Sequence, residues 1–63
     1  MTEISFKERA THEYEVVGDG KYHVGIIERA ADWWKFYPNQ GGFELSELKT
    51  IVEFMNKLES EFP

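Results

Sequence analysis

The aromatic run at residues 33–38, Trp-Trp-Lys-Phe-Tyr-Pro, constrains the fold more than any other segment of this chain. Aromatic residues are enriched in β-strands, and a proline is expected where a strand ends because it cannot donate to a sheet ladder. Successive side chains on a strand point to opposite faces of the sheet. One face should therefore carry Trp34 and Phe36, and the other face should carry Trp33, Lys35 and Tyr37.

The length of the chain limits how much of the sheet it can cover. Its 63 residues predict one domain spanning residues 1–63, which is large enough to cover only one face of a sheet. A chain this short buries about 60% of the surface that its unfolded form exposes, so its stability is marginal. Cysteine is absent, which excludes disulfides and thiolate metal sites. A dense aromatic core, a homodimer or both must supply the missing stability.

The acidic composition narrows the classes of partner. A formal net charge of −5 argues against a nucleic-acid partner, because phosphate contacts require clustered lysine and arginine. No apolar run approaches the roughly 18 residues of a membrane span, and the N-terminus lacks the basic and apolar regions of a signal peptide. We therefore expect a cytoplasmic protein with no membrane partner. The same acidity leaves open a decoy that imitates the charge of DNA.

Three further stretches, residues 4–7, 13–16 and 22–27, alternate between apolar and polar residues, as half-buried strands do. The sequence Gly18-Asp19-Gly20 is the strongest turn signal and predicts a hairpin between the second and third stretches. We expect the helix-covered face of the sheet to carry the even-numbered set, namely Ile4, Phe6, Tyr14, Val16, Tyr22, Val24, Ile26, Trp34 and Phe36.

The C-terminal third of the chain has helical periodicity. Ser46 is expected to be the N-cap, and Glu47 falls in the first turn, where the helix dipole favours an acid. One apolar stripe should pack on the sheet, formed by Leu48, Ile51, Val52, Phe54, Met55, Leu58 and Phe62. Together these elements predict an α+β fold: an antiparallel meander of three or four strands with one C-terminal helix packed on one face.

The second half of the chain also carries a recognisable pattern. Trp34, Phe36 and Pro38 alternate along one strand, a glycine-containing loop follows, and the segment Leu45-Ser46-Glu47-Leu48 is two residues shorter than an "L-S-x-x-E-L" helix start. This pattern resembles the short uncharacterised proteins encoded in tailed-phage and prophage accessory regions. The resemblance implies a phage-type or bacterial cytoplasmic setting and no particular activity.

The residues that usually carry catalysis are missing. There is no cysteine, no serine or threonine in a nucleophile motif, and no glycine loop long enough to cradle a phosphate. His12 and His23 make a poor metal site, and for His23 the sequence leaves three roles open: a pairing with Glu15 across the hairpin, a pH-sensitive contact, or a half-exposed histidine with no special role. We therefore expect no enzyme, no cofactor and no metal site.

The binding residues that the sequence predicts lie on the sheet face opposite the helix. We expect a protein-binding cluster there, made of Ile27, Arg29, Trp33, Lys35 and Tyr37. The predicted function is a small interaction module of phage or bacterial origin that binds another protein or itself. The alternatives are an acidic, nucleic-acid-mimicking inhibitor of a host enzyme and a purely structural homodimer. In the plainest interpretation, the exposed aromatic side chains only pack on the N-terminal strand or cap the sheet edge.

Overall fold

Four strands followed by one helix make up the fold in the computed structural model, which describes residues 3–61. Each strand pairs antiparallel with the next, so their order in the sheet is their order in the chain. This confirms the predicted α+β meander with a C-terminal helix packed on it. The elements are β1 (Ile4–Ala10), β2 (Glu13–Gly18), β3 (Tyr22–Ala30), β4 (Trp33–Pro38) and α1 (Leu45–Glu61).

The turn between β2 and β3 has the geometry that its sequence predicts. Asp19 and Gly20 both have positive φ, at 52° and 72°. The N–H of Lys21 donates to the carbonyl of Gly18 at 3.1 Å and closes the turn. Two consecutive residues with positive φ are the mark of a type I′ turn, whose twist matches that of the strands it joins. The predicted hairpin is confirmed.

A β-bulge in β3 changes which residues face the helix. Val17 pairs with His23, but its neighbour Val16 pairs with Gly25, so Val24 is an extra residue with no partner on β2. Val24 and Gly25 are both buried. Because one inserted residue moves all later side chains to the other face, the alternation of β3 is inverted beyond this point.

This inversion corrects the predicted positions of several β3 residues. Ile27, expected on the face opposite the helix, is fully buried in the core, and Ile26 takes the exposed side instead. Arg29 pairs with Trp34, and its guanidinium lies 5.8 Å from the centroid of that indole, so it too is on the helix side. Tyr22, also expected in the core, lies before the bulge, next to the turn between β2 and β3, and is 57% exposed there.

The core lies between α1 and one face of the sheet. Phe54 of α1 stacks on Phe6 of β1 with ring centroids 3.9 Å apart, and Tyr14 of β2 meets Phe54 edge-on at 5.2 Å. These aromatic contacts fix the helix against the first two strands. The buried members of the core are Val16, Val24, Ile27, Trp34, Ile51 and Leu58.

The start of α1 differs from the prediction because two glutamates cap it. Leu45 is the first helical residue, so Ser46 lies inside the first turn and is not the N-cap. Glu44 takes that position, and its carbonyl accepts from the N–H of Leu48 at 3.1 Å. The Glu47 carboxylate accepts from the N–H of Glu44 at 2.6 Å, as the third helical residue does in a capping box.

The predicted apolar stripe of α1 is only partly buried. Ile51 and Leu58 lie in the core, and Phe54 and Met55 are partly buried against it. Leu48 and Val52, predicted to pack on the sheet, are instead 41% and 52% exposed, on the flank of the buried stripe. The last member of the predicted stripe, residue 62, lies outside the described residues.

Candidate protein-binding surface

The sheet face that α1 does not cover is called the open face here. Along β4 it presents Trp33, Lys35 and Tyr37, and all three side chains are exposed. Trp33 is 50% exposed, whereas its neighbour Trp34 on the covered face is 5% exposed. The predicted division of the aromatic strand is therefore confirmed, with Trp34 as the buried tryptophan.

Ile26 provides the apolar neighbour of Tyr37 on the open face. The two residues pair directly across β3 and β4, and Ile26 pairs in turn with Glu15 of β2. Directly paired residues have Cβ atoms about 4.5–5.5 Å apart on one face of a sheet, so their side chains are in reach of each other. The bulge therefore replaces Ile27, the predicted binding residue, with Ile26.

Lys35 separates the two exposed aromatic side chains of the open face. Its ammonium lies 5.9 Å from the centroid of a Trp33 ring, within the range of a cation–π contact. On its other side Lys35 pairs with Glu28 of β3, which pairs with Glu13 of β2. The aromatic strip along β4 is thus bordered by acids on the side of β2 and β3.

One ion pair and one hydrogen bond engage acids of the open face. The Arg9 guanidinium contacts the Glu13 carboxylate at 2.8 Å, and the His23 imidazole contacts the Glu15 carboxylate at 2.9 Å. Of the roles left open for His23, the second contact confirms the pairing with Glu15 across the hairpin. An exposed ion pair such as Arg9–Glu13 adds little stability, but it interrupts the row of negative charges on the open face.

The edge of β4 is protected against the addition of a further strand. The N–H of Trp34 donates to the Glu59 carboxylate of α1 at 3.3 Å, and Pro38 has no N–H to offer. The N–H of Asn39 donates back to the carbonyl of Val24 at 2.7 Å. A partner would therefore meet the side chains of the open face instead of extending the sheet at β4.

A second exposed apolar surface lies on α1, and the sequence prediction missed it. Leu45, Leu48 and Val52 are 68%, 41% and 52% exposed, and we call these three residues the helix seam. They line a shallow groove together with Lys49 and Glu53. The signal was present in the sequence, because the apolar positions of this helix form a stripe wider than one sheet face can cover.

Other kinds of site have little support in residues 3–61. No group of three histidine, aspartate or glutamate side chains in this range comes close enough to hold a metal ion. No helix in the same range has the length and apolar character needed to cross a membrane. Neither a protein family, nor a curated protein, nor a solved structure matches this chain.

Proposed function

We propose that this protein is a small interaction module that binds another protein through Trp33, Lys35 and Tyr37 of the open face. One observation carries the proposal: two large aromatic side chains are half exposed on a sheet face that the only described helix leaves uncovered. Tryptophan and tyrosine are enriched among the residues that dominate binding energies, because they bury large areas and still offer a polar group. The setting that we propose is the cytoplasm of a bacterium or of a phage-infected cell.

The surroundings of the aromatic strip define the chemistry of the partner. Tyr37 and Ile26 form an apolar corner, which favours a pocket lined by apolar side chains on the partner. Glu28 and Glu13 lie beside that corner, so a rim that carries lysine or arginine would complement them. The proposed partner is therefore a protein with an apolar pocket and a neutral to basic rim.

The acidic inhibitor is a weaker hypothesis for this surface. A protein that imitates DNA needs carboxylates of one sign spaced like phosphates along a surface. On the open face, Glu13 is ion-paired with Arg9, Glu15 is hydrogen-bonded to His23, and Lys35 adds a positive charge. This alternation of charge differs from the uniform row of negative phosphates that a DNA mimic must reproduce.

Photo-crosslinking in living cells tests the proposal directly. The photoreactive amino acid p-benzoylphenylalanine is placed at position 37, where it replaces another exposed aromatic side chain, and the chain is expressed in bacteria. A matched control carries the same probe in place of Lys57, which is exposed on α1. We expect a discrete crosslinked protein from position 37 that is absent from position 57 and lost when Trp33→Ser is added.

The outcomes of this experiment separate the hypotheses. Identical products at both positions, or no product at position 37, would contradict a binding role for the open face. A product with twice the mass of the chain would identify a second copy as the ligand of that face. A host enzyme that acts on nucleic acids, crosslinked at position 37, would support the inhibitor instead.

A further inference from the structure

We infer that the outer edge of β1 pairs antiparallel with the same edge of a second copy of this chain, which joins two four-stranded sheets into one. The two-fold axis of the pair passes between the two Ser5 residues. This interface is separate from the aromatic strip of β4, because β1 and β4 are the two opposite edges of the sheet. The inference goes beyond the proposed binding function and does not depend on it.

The backbone of β1 is open to a further strand, whereas that of β4 is closed by the contacts described above. The N–H of Glu3 donates to the Asp19 carboxylate at 2.9 Å, and its carbonyl accepts from the N–H of Asp19 at 2.7 Å, so both groups point towards β2. Backbone groups of an antiparallel strand alternate in direction, and those of Ile4 and Phe6 therefore point outward. Within residues 3–61, no hydrogen bond is made to these outward groups.

The segment around Ser5 is complementary to itself. Residues 3–7 read Glu-Ile-Ser-Phe-Lys, with an acid at one end, a base at the other and an apolar residue on each side of the serine. When two copies pair antiparallel about Ser5, Ile4 of each lies opposite Phe6 of the other. Each such pair exchanges both of its backbone hydrogen bonds, because the outward groups belong to these two residues. A two-fold interface uses the same patch on both copies, so every contact occurs twice.

The charges of the open face also fit this register. Glu3 of each copy lies directly opposite Lys7 of the other, and opposite charges in that position stabilise a sheet. Within its own copy Lys7 pairs with Glu15 of β2, so the second copy places Lys7 between two carboxylates. A lysine on an edge strand usually discourages pairing. Here the two Lys7 residues are four positions apart along the paired strands, about 13 Å at about 3.4 Å per residue.

Other registers match the same residues less well. A pair centred on Phe6 would place Ile4 opposite the carboxylate-bearing side chain of Glu8. A pair centred on Lys7 would place two lysines directly opposite each other, which is destabilising. Beyond Glu8 the register of β1 with β2 shifts, which ends the regular part of this edge. The register about Ser5 is therefore the one that the side chains favour.

The helix-covered side of the β1 edge supplies apolar surface. Ile4 and Phe6 are only partly buried against the core, and Phe54 of α1 stacks on Phe6 with ring centroids 3.9 Å apart. In the pair, Ile4 of one copy covers Phe6 of the other, so both side chains lose exposed area. Since the paired segment is short, the interface falls below about 1,200 Å², where complexes are weak and reversible.

The pair would make the protein a bivalent binder. Its two-fold axis is perpendicular to the sheet, so both open faces lie on the same side. The two β4 strands become the outer edges of an eight-stranded sheet, up to about 34 Å apart at about 4.8 Å per strand. A partner with two apolar pockets could then bind both aromatic strips at once, with a gain in avidity.

Cysteine crosslinking tests the pair and its register. The chain has no cysteine, so each variant carries a single thiol. Residues opposite each other at the axis have Cα atoms about 4.5 Å apart, a distance that a disulfide spans. Under mild oxidation we expect Ser5→Cys to form a disulfide-linked dimer at least about tenfold faster than Ser46→Cys, because pairing raises the effective concentration of the two thiols. Ser46, exposed on α1, is the matched control.

Two results of the crosslinking experiment would contradict the inference. Equal rates for Ser5→Cys and Ser46→Cys would overturn the pairing of the β1 edges. A dimer that forms faster from Lys7→Cys than from Ser5→Cys would overturn the register, since Lys7 should lie opposite Glu3 and far from its own copy.

Analytical ultracentrifugation with charge-exchange variants tests the pairing of Glu3 with Lys7. We expect the parent to be a reversible dimer at about 100 µM, a concentration that populates complexes with micromolar dissociation constants. Lys7→Glu and Glu3→Lys should each raise the dissociation constant about tenfold, because like charges then meet at both ends of the pair. An equimolar mixture should restore a dimer with one chain of each kind. A mixture that associates no better than its components would overturn this charge pairing.

Variants at the opposite edge of the sheet provide the controls. Lys35→Glu makes the same change of charge as Lys7→Glu and should leave the dissociation constant unchanged. The double variant Trp33→Ser/Tyr37→Ser should remain a dimer. Circular dichroism at low concentration should show a cooperative thermal transition for every variant, so that a lost dimer is not a lost fold.

The oligomeric state of these variants decides where self-association occurs. A parent that stays monomeric at about 100 µM would overturn the inference. Loss of the dimer in Trp33→Ser/Tyr37→Ser, with a dimer retained in Lys7→Glu, would also overturn it and would assign self-association to the open face.

Discussion

The ring of Phe36 on β4 lies directly against Gly25 on β3. A β-carbon at position 25 would fall 2.7 Å from Cε1 of Phe36 and 2.5 Å from the carbonyl oxygen of Tyr37. Both distances are shorter than any ordinary contact, so only glycine fits at this position. The bulge residue Val24 comes immediately before it and is held by the N–H of Asn39. The bulge and the glycine together let the aromatic strand pack closely on β3.

Replacing Gly25 by a larger residue should destabilise the protein by crowding, since no existing contact is removed. We expect Gly25→Ala to lower the free energy of unfolding by about 1–3 kcal/mol or more, the usual cost of overpacking. Urea denaturation followed by tryptophan fluorescence measures the change. Gly42→Ala is the matched control, because a β-carbon there meets nothing within 4 Å. Equal stabilities for the two variants would contradict the close approach of Phe36.

The same site explains how far the sequence could predict the fold. Alternation located the strands and the buried Trp34 because it holds wherever the register is unbroken. It misplaced Ile27 and Arg29 because the bulge at Val24 inverts the alternation. Ile26 and Ile27 are adjacent and both apolar, so alternation alone could not show which of the two side chains faces the core. The glycine inside this strand was the available signal, since such glycines mark bulges or close approaches.

The start of the helix was mispredicted for a different physical reason. Residue preferences favour serine as an N-cap, and Ser46 precedes a long apolar pattern. In the structure, the buried Glu47 carboxylate accepts from the N–H of Glu44, so the helix begins at Leu45, two residues earlier than a Ser46 N-cap would place it. Two exposed apolar residues, Leu45 and Leu48, then fall on the helix seam. The candidate surfaces therefore depend on local contacts that residue preferences alone do not reveal.

The two adjacent tryptophans should differ strongly in their contribution to stability. Trp34→Ala removes a large side chain that is 5% exposed, and we expect a loss of about 3–5 kcal/mol, enough to unfold a domain of this size. Trp33→Ala is the control and should keep a cooperative thermal transition, because this side chain is 50% exposed. A folded Trp34→Ala variant with an unchanged melting temperature would contradict the assignment of the core.

Nucleic acids should not bind to this protein at physiological salt. The net charge is −5, and binding to phosphates depends on releasing counterions with clustered lysine and arginine. Fluorescence anisotropy with labelled single- and double-stranded oligonucleotides measures the affinity. A dissociation constant below about 1 µM would show that local positive charge outweighs the net charge.

Glu47 should stabilise the start of α1, because its carboxylate accepts a hydrogen bond there and carries a negative charge. Glu47→Ala leaves the N–H of Glu44 without its carboxylate partner, and we expect a loss of about 0.5–2 kcal/mol. Glu47→Gln keeps an acceptor and should cost less, because glutamine also serves in capping boxes. Glu53→Ala, on the exposed side of the same helix, is the control at low protein concentration. Equal losses for the alanine and glutamine variants at position 47 would contradict a capping role.

Tyr14 should make the protein less stable at alkaline pH. Burial raises the pKa of its phenol above the ordinary value of 10.0, and the nearby carboxylates of Glu8 and Glu61 raise it further. The unfolded chain therefore loses this proton at a lower pH than the folded chain does. The stability that the neutral phenol contributes is fully present below pH 10.0 and is lost as the pH rises through the raised pKa of the folded state.

The comparison of parent and Tyr14→Phe isolates this contribution from other groups that titrate in the same range. We expect the free energy of unfolding to fall more steeply for the parent than for Tyr14→Phe when the pH is raised from about 9 to about 11. Urea denaturation at each pH gives both slopes. Glu8→Gln should give an intermediate slope, because it removes one of the two charges that disfavour the phenolate. Parallel slopes for the parent and Tyr14→Phe would show that the folded state does not hold this phenol in its neutral form.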